Sequence, residues 1–465
     1  MPGKASDIKR SSFARSLSVS LAGARAGGAL AIDGVLRKLK PGEDESPSAF
    51  ARREAQRFVT ELGRLKGTYV KIGQMFALLG EHFLPPVLTE ALHELESQTE
   101  ALPWKSIEPV LRESLGDRFC ELRIEKKAMA AASLAQVHRA TVISSGDEIC
   151  LKIQYPGLAE VIDTDFDAVV RLLLLARWIK AGRELDDWLE SMRVQLHHEI
   201  DYAREAEMTE RMADLVAQSN KTISEGGTRY HVPRLYRRYC TESVLAMEYI
   251  DGHLVTQAEV ANLPQARRNA LGKSMLELFF CELYQWGLLQ TDPNFGNYLI
   301  RPCKKNKNRD ELVLLDFGSV LECDENFLVH LGNAIVAGQV EDRPLLIESI
   351  VGLGCLNESS PAEAKDSFCD FCLQLLEPLR SPELLPKEFL NGDGQYCWGK
   401  SRLLRRAGKN AASRAATRHF VIPSRDFAMI ARKLTGVFTF IALLNAEFNA
   451  HDVVHRYMGQ WLEED

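Results

Sequence analysis

GLLQTDPNFGNYLI, residues 287–300, sets a carboxylate, Asp292, five positions before an amide, Asn297, across a turn of Asp, Pro, Asn and Gly. The run LGKSMLELFFCELYQWG before it has the spacing of an amphipathic helix. Taken alone, D-x-x-x-x-N is a common pattern that a simple turn explains. Nineteen residues past Asn297, however, the apolar strand LVLLD ends in Asp316-Phe317-Gly318. One carboxylate can accept a proton from an attacking hydroxyl. The amide oxygen and the second carboxylate can hold a divalent cation against phosphates. In this order and at this distance, the two motifs predict a phosphoryl-transfer site: Asp292 as base, Asn297 and Asp316 as Mg²⁺ ligands.

Upstream, AMAAASLAQVHRA (128–140) has the position of a phosphate-binding turn, yet it carries alanines where such turns usually carry glycines. Glycine lets backbone approach a phosphate and take φ > 0 cheaply. Alanine stiffens the turn and leans it toward helix. Ala130, Ala131, Ala132 and Ser133 are therefore read as a more fixed nucleotide loop with altered selectivity. Lys152, in the apolar run EICLKIQ, alternates away from Leu151 and Ile153 on a strand. Its expected role is to hold the α- and β-phosphates while paired to an acid. Candidate acids lie in HHEIDYAREAEM (197–208): Glu199, Asp201, Glu205 and Glu207. Asp201 and Glu205 stack at i, i+4 on a helix, where like charges need partners. VLAMEYIDG (244–252) reads as a strand entering a hinge, with backbone near Glu248 and Ile250 placed for adenine.

The 465 residues, 46% hydrophobic and 26% charged, suit two or three packed units with a real core. A net charge of −7 gives no reason to expect nucleic acid. The ten cysteines follow no signal-peptide pattern and read as reduced thiols, with Cys369 and Cys372 in a helix core. No run is long and apolar enough to span a bilayer. The first forty residues hold eight Lys/Arg against Asp7 and Asp33. They read as a membrane-surface helix, an organelle transit peptide or a docking tail. The acid-free run RLLRRAGKNAASRAATRH (402–419) is a second candidate for anionic lipid, or a solvated helix face.

The order of elements predicts an α+β, two-lobed protein-kinase-like fold. Residues 1–48 form a basic segment, 49–115 a helical extension, 116–250 a lobe with a small mixed sheet and a helical insert, and 251–465 a mostly helical lobe. Strands are expected in CELRIE, SLAQVHRATVI, EICLKIQY, VPRLYRRY (232–239) and SVLAMEYI, and around the two acidic motifs.

Together these motifs resemble the UbiB/AarF family of atypical protein-kinase-like proteins, over about Lys66 to Val320. KGTYVKIGQ looks like its K-x-G-Q signature, AAAS its alanine loop, CLKIQYPG its lysine strand, and Glu199-Ile200-Asp201 its E-x-D. QTDPNFGN and LLDFG are similar to its catalytic and metal motifs. The resemblance implies that Lys71 and Gln74 point toward Glu199 and Asp201 and occlude the place where a protein kinase admits peptide. It implies Glu205 as the partner of Lys152, with Glu199 as the alternative. It further implies an ATP- and Mg²⁺-dependent ATPase or small-molecule kinase in ubiquinone or isoprenoid-lipid metabolism. Its partners would be isoprenoid lipid, an anionic membrane surface or quinone-biosynthesis proteins. Its place would be cytoplasmic or peripheral to a membrane, mitochondrial or plastid if the N-terminus is a transit peptide. A nucleotide-gated lipid- or partner-binding protein is the alternative. Thr291, where protein kinases have arginine, and the short segment after Gly318 argue against protein phosphorylation.

Overall fold

The computed structural model describes residues 49–65, 67–83, 88, 91–92, 101–175, 183–223, 227–303, 310–407 and 424–462. The basic segment 1–48 and most of the 402–419 run lie outside them. The chain divides into two compact units.

The first unit comprises the chain to Glu207 together with Arg234–Tyr249. Its sheet runs in the order β1 (Leu122–Ile124), β3 (Ala135–Val142), β4 (Glu148–Gln154), β6 (Val244–Glu248), and the short β2 (Ala130–Ala131) also pairs with β3. Every pairing in it is antiparallel, so the mixed sheet expected here is corrected. The β3–β4 connection turns through Gly146 at φ 77°, a conformation that favours glycine. Period-two alternation on β4 buries Ile149, Leu151 and Ile153 on one face, against Leu111 and Leu115 of α3 (Trp104–Leu115). Tyr202 and Ala206 cluster with Leu245 and Met247 of β6, and Cys150 packs against that group. A separate helical core holds Phe58, Tyr69, Ile72, Phe76, Phe166 and Leu196. They come from α1 (Ala49–Leu65), α2 (Thr68–Phe83), α4 (Leu158–Leu175) and α5 (Arg183–Ile200).

The helix α6 (Tyr202–Ser219) begins in this unit; from Met208 its residues group with the second, as do those to Pro233. The sequence assigns 208–233 to the first lobe. They cluster elsewhere because β5 (Arg229–His231) pairs in parallel with β9 (Glu311–Leu314), whose other edge takes β8 (Tyr298–Arg301). VPRLYRRY is not a strand. It makes one bridge, Leu235 to Met247, and a 3₁₀ turn at Arg237–Tyr239, since Pro233 has no N–H to give a ladder.

In the second unit α7 (Gln265–Tyr284) is not amphipathic as its spacing suggests. Its C-terminal half is buried almost all round, Glu282 included, with α11 (Arg425–Leu443) and α12 (His451–Leu462) packed on it. The helices α8 (Glu325–Val340), α9 (Arg343–Gly352) and α10 (Ala362–Leu375) complete the core, with Cys369 and Cys372 buried on α10 as free thiols. Strand β7 (Leu288–Gln290) pairs with β10 (Val320–Glu322). Soon after β10, α8 starts under an Asp324 cap, whose side chain accepts the Phe327 N–H at 3.1 Å. No described helix is long and apolar enough to cross a membrane.

One buried network in the first unit makes its stability sensitive to pH. Gln136 accepts the Leu102 N–H at 2.7 Å through Oε1, which turns its Nε2 toward His138 Nε2, also at 2.7 Å. That amide donates, so the ring must accept at Nε2 and donate from Nδ1 to the Glu125 carbonyl at 2.8 Å. The folded ring is held neutral, and burial pulls its pKa below 6.5. As pH falls, the unfolded chain takes the proton first, so stability is lost below about pH 6.5. Thermal unfolding midpoints from pH 7.5 to 5 are expected to fall less steeply for His138→Asn than for the parent.

Candidate active site

The first unit carries a lysine-centred group of candidate residues. On β4 Lys152 lies on the face opposite Leu151 and Ile153, and its Nζ meets Glu205 Oε1 at 2.6 Å. Glu205 is 2% exposed, so without the lysine its charge would be costly. Tyr202, one turn earlier on α6, sets its ring 5.3 Å from the same ammonium. The geometry answers which acid meets Lys152: Glu205 does, and Glu199 binds Lys71 at 2.5 Å instead. Asp201 does not stack on Glu205. It lies between α5 and α6 and accepts the Arg204 N–H at 3.0 Å, so two like charges on one helix face become a cap. Gln74 is half-buried one turn after Lys71 on α2.

The alanine turn is extended rather than helical. Ala130 and Ala131 pair with Val137 and Gln136, and Ala132 N–H donates to the Ala135 carbonyl at 2.7 Å. Buried Tyr155 fixes the turn from below: its N–H donates to Leu134 O at 3.0 Å and its hydroxyl to Ala132 O at 3.1 Å. None of residues 130–133 has positive φ, so alanine is accommodated without strain and glycine is not required. Ser133 is half-buried in the same turn. At the end of β6 the Glu248 N–H is taken by the Arg234 carbonyl at 2.8 Å and is not open to a base. Ile250 is buried and begins the second unit.

The second unit carries its own group, built on the two acidic motifs. Between β7 and β8 the chain folds as an Asx turn into a 3₁₀ turn, Phe295–Asn297, with Asn294 Oδ1 accepting the Gly296 N–H at 2.9 Å. Asn297 Nδ2 donates to Asp292 Oδ2 at 2.9 Å. Strand pairing brings the second motif alongside, since the Leu315 N–H donates to the Asn297 carbonyl at 3.0 Å. Asp316 Oδ1 accepts the Gly318 N–H at 2.9 Å, which fixes the turn after the strand. Asn297 and Asp316 line one crevice with Glu282, Gln290, Tyr298 and Phe317.

Among the described residues no three His, Cys, Asp or Glu side chains converge as a metal cage. Mg²⁺ needs none, because it is usually held by one or two carboxylates, waters and substrate phosphates. The donors fit that demand. They are hard oxygens, and Asn297, with its nitrogen on Asp292, keeps its amide oxygen for a cation.

Residues on α11 also join this group, and the sequence did not single them out. Arg432 Nη2 lies 3.4 Å from Asp292 Oδ1. Lys433, its neighbour, is buried beside Glu282 at 3.6 Å. Burial pushes Glu282 up to about 7 and pulls Lys433 down, each partly offset by the other's charge. The signal available was a charge inside an apolar helical run: Glu282 in LFFCELY and Lys433 in IARKLTGVF.

Three variants test the candidate residues of the first unit. Glu205→Gln removes the countercharge of Lys152 and is expected to weaken ATP about tenfold, ~1.4 kcal/mol, in a fluorescent-nucleotide titration. Glu199→Gln, whose partner is Lys71, should stay within about threefold. Ala131→Gly should change the ratio of ATP to ADP affinity; an unchanged ratio would make this stretch an ordinary turn.

The ABC1 atypical kinase-like domain matches residues 94–349, more than half of the chain. Among curated relatives, the mitochondrial atypical kinase COQ8 of Schizosaccharomyces pombe is 29% identical over 338 residues, 72% of this chain and 53% of that protein. Atypical kinase COQ8B of Danio rerio is 28% identical over 88% of this chain and 62% of its own length. AarF domain-containing protein kinase 1 of Xenopus laevis is 30% identical over 66% of this chain and 58% of its own. The chain thus spans about half to two thirds of the length of these relatives. Among solved structures, Rv3197 of Mycobacterium tuberculosis, in complex with erythromycin, superposes with TM-score 0.59 at 23% identity. That match covers 87% of this chain and 96% of the other, a likeness of fold. The α+β kinase-like architecture expected from the motifs is therefore the one found, and the chain belongs to the family of the ABC1 atypical kinase-like domain, the UbiB/AarF group.

Proposed function

We propose that this chain is an ATP- and Mg²⁺-dependent atypical kinase-like enzyme that transfers the terminal phosphoryl group to water or to a small-molecule hydroxyl. The observation that carries the reading is the Asp292–Asn297 contact at 2.9 Å beside Asp316 on a shared crevice. A base and two oxygen donors are held there by the chain itself before any ligand arrives.

In this reading Lys152, held by Glu205, takes the α- and β-phosphates, and the turn 130–133 covers them. Glu248 and Ile250 flank the base. Asn297 and Asp316 hold Mg²⁺, which when bound would neutralise charge on the phosphates. Asp292 orients the attacking oxygen and accepts its proton. Its Oδ2 is engaged by Asn297, while Oδ1 has only longer contacts, the Asn294 N–H at 3.3 Å and Arg432 at 3.4 Å. Oδ1 is thus the atom free to take the proton. Lys71, Gln74, Glu199 and Asp201 occlude the approach of a peptide, and the early start of α8 leaves little room for a peptide platform. The names of the mitochondrial COQ8 relatives support a place in ubiquinone metabolism and in a mitochondrion; isoprenoid lipid, a membrane surface and quinone-biosynthesis proteins as partners are part of the proposal and follow from the motif resemblance alone.

The test is ATP turnover by the purified chain with Mg²⁺. Asp292→Asn is expected to lower kcat about 10³-fold with nucleotide affinity retained. Parental rates in that variant would remove Asp292 from catalysis. Tight binding without turnover in the parent would instead point to a nucleotide-gated binding protein.

A further inference from the structure

We propose that Lys433 is a positioning residue for the catalytic loop: its ammonium straps together the two residues that bracket the loop, Gln290 before it and Tyr298 after it. What the loop does rests on the reading above; that Lys433 holds it does not.

Three observations on α11 carry this. First, Lys433 Nζ donates to Gln290 Oε1 at 2.7 Å and to the Tyr298 hydroxyl at 2.5 Å. The Tyr298 hydroxyl donates in turn to Gln290 Oε1 at 2.9 Å, which closes a triangle across the loop ends. Second, the helix touches the loop between those ends. A Cβ added at Gly436 would lie 2.2 Å from Pro293 Cβ, and Arg432 reaches Asp292. Third, the triangle is buried. Lys433 and Glu282 are at most 2% exposed, and Gln290 and Tyr298 are 3% exposed. Bulk solvent competes little with the ammonium there, so each bond is firmer than it would be at a surface.

Stability alone does not call for such a pair, because well-packed apolar side chains are often as stabilising as a buried ion pair. Leu434 and Val437 on the same helix show that the core accepts apolar groups. What an apolar residue cannot do is donate to Gln290 and Tyr298 at once. Glu282 supplies the countercharge from α7 and lies 3.6 Å away, so the short bonds of Lys433 go to the loop ends and not to its charge partner. The helix that braces the loop ends thus comes from more than a hundred residues downstream and adds to the local bonds of QTDPNFGN, a stretch free of Lys and Arg.

The experiment uses the full chain and the double variant Lys433→Met/Glu282→Gln, which removes the strap without stranding a charge. Its thermal midpoint is expected within a few degrees of the parent and its ATP affinity within about threefold. Amide hydrogen exchange over residues 291–297 should speed at least about tenfold, and kcat should fall at least about thirtyfold. A structural role alone would lower the midpoint and leave exchange at the loop and kcat unmoved. Should the double variant fail to fold, Tyr298→Phe cuts one strap with its volume kept. It should raise loop exchange and lower kcat about threefold or more at constant affinity. Parental exchange in the variant that folds would overturn the proposal, as would a kcat lost in Lys433→Met and recovered in the double variant. If the parent turns over no ATP, the functional reading falls, while loop exchange still decides the role of Lys433.

Discussion

A lysine taken out of water must have its charge met, and this chain meets it three times with a glutamate. Lys71 has Glu199, Lys152 has Glu205 and Lys433 has Glu282. The pairs grade from partly open to fully buried, with the lysines 17%, 19% and 2% exposed. Partners that share a low-dielectric setting hold each other fixed in orientation, which two mobile surface charges do not. The side chains proposed for chemistry depend on that fixity. Lys152 stands on a strand whose other face is core, so its head is presented from a rigid base.

The loop and strand of the second unit follow a different logic. Asp292, Asn294 and Asn297 bond to one another and to nearby backbone, so the loop shapes itself from residues a few positions apart. Short polar side chains that imitate backbone turns do this well. The β8–β9 pairing then sets Asp316 beside that loop through the Asn297 carbonyl and Leu315 N–H. What these local bonds leave undetermined is the attitude of the loop as a whole. Helix α11 contacts it at both ends and at its middle.

The alanine turn clarifies how one role can be filled by different residues. Glycine is needed where φ is positive or where backbone must pass close to a group that a Cβ would strike. Here residues 130–131 are strand and the turn keeps negative φ, so the geometry itself favours alanine. The lean toward helix that composition predicts is overridden by pairing with β3, a tertiary effect stronger than propensity.

The motifs, their order and the fold class were legible because they depend on spacing along the chain: five residues from Asp292 to Asn297, alternation around Lys152, an apolar strand ending at Asp316. The errors fell where distant chain decides. Spacing suggested an exposed face on α7, yet α11 and α12 cover it and leave Glu282 fully buried. Asp201 looked like a helix residue and is a cap, because α5 ends and α6 starts around it. By itself the sequence determined which groups are candidates for phosphate chemistry. Only tertiary structure decided that Glu205 and not Glu199 answers Lys152, and that Arg432 and Lys433 stand at the loop between Gln290 and Tyr298. The reason is that charge pairing acts over a few ångströms, while these partners are 53 and about 140 residues apart in the chain.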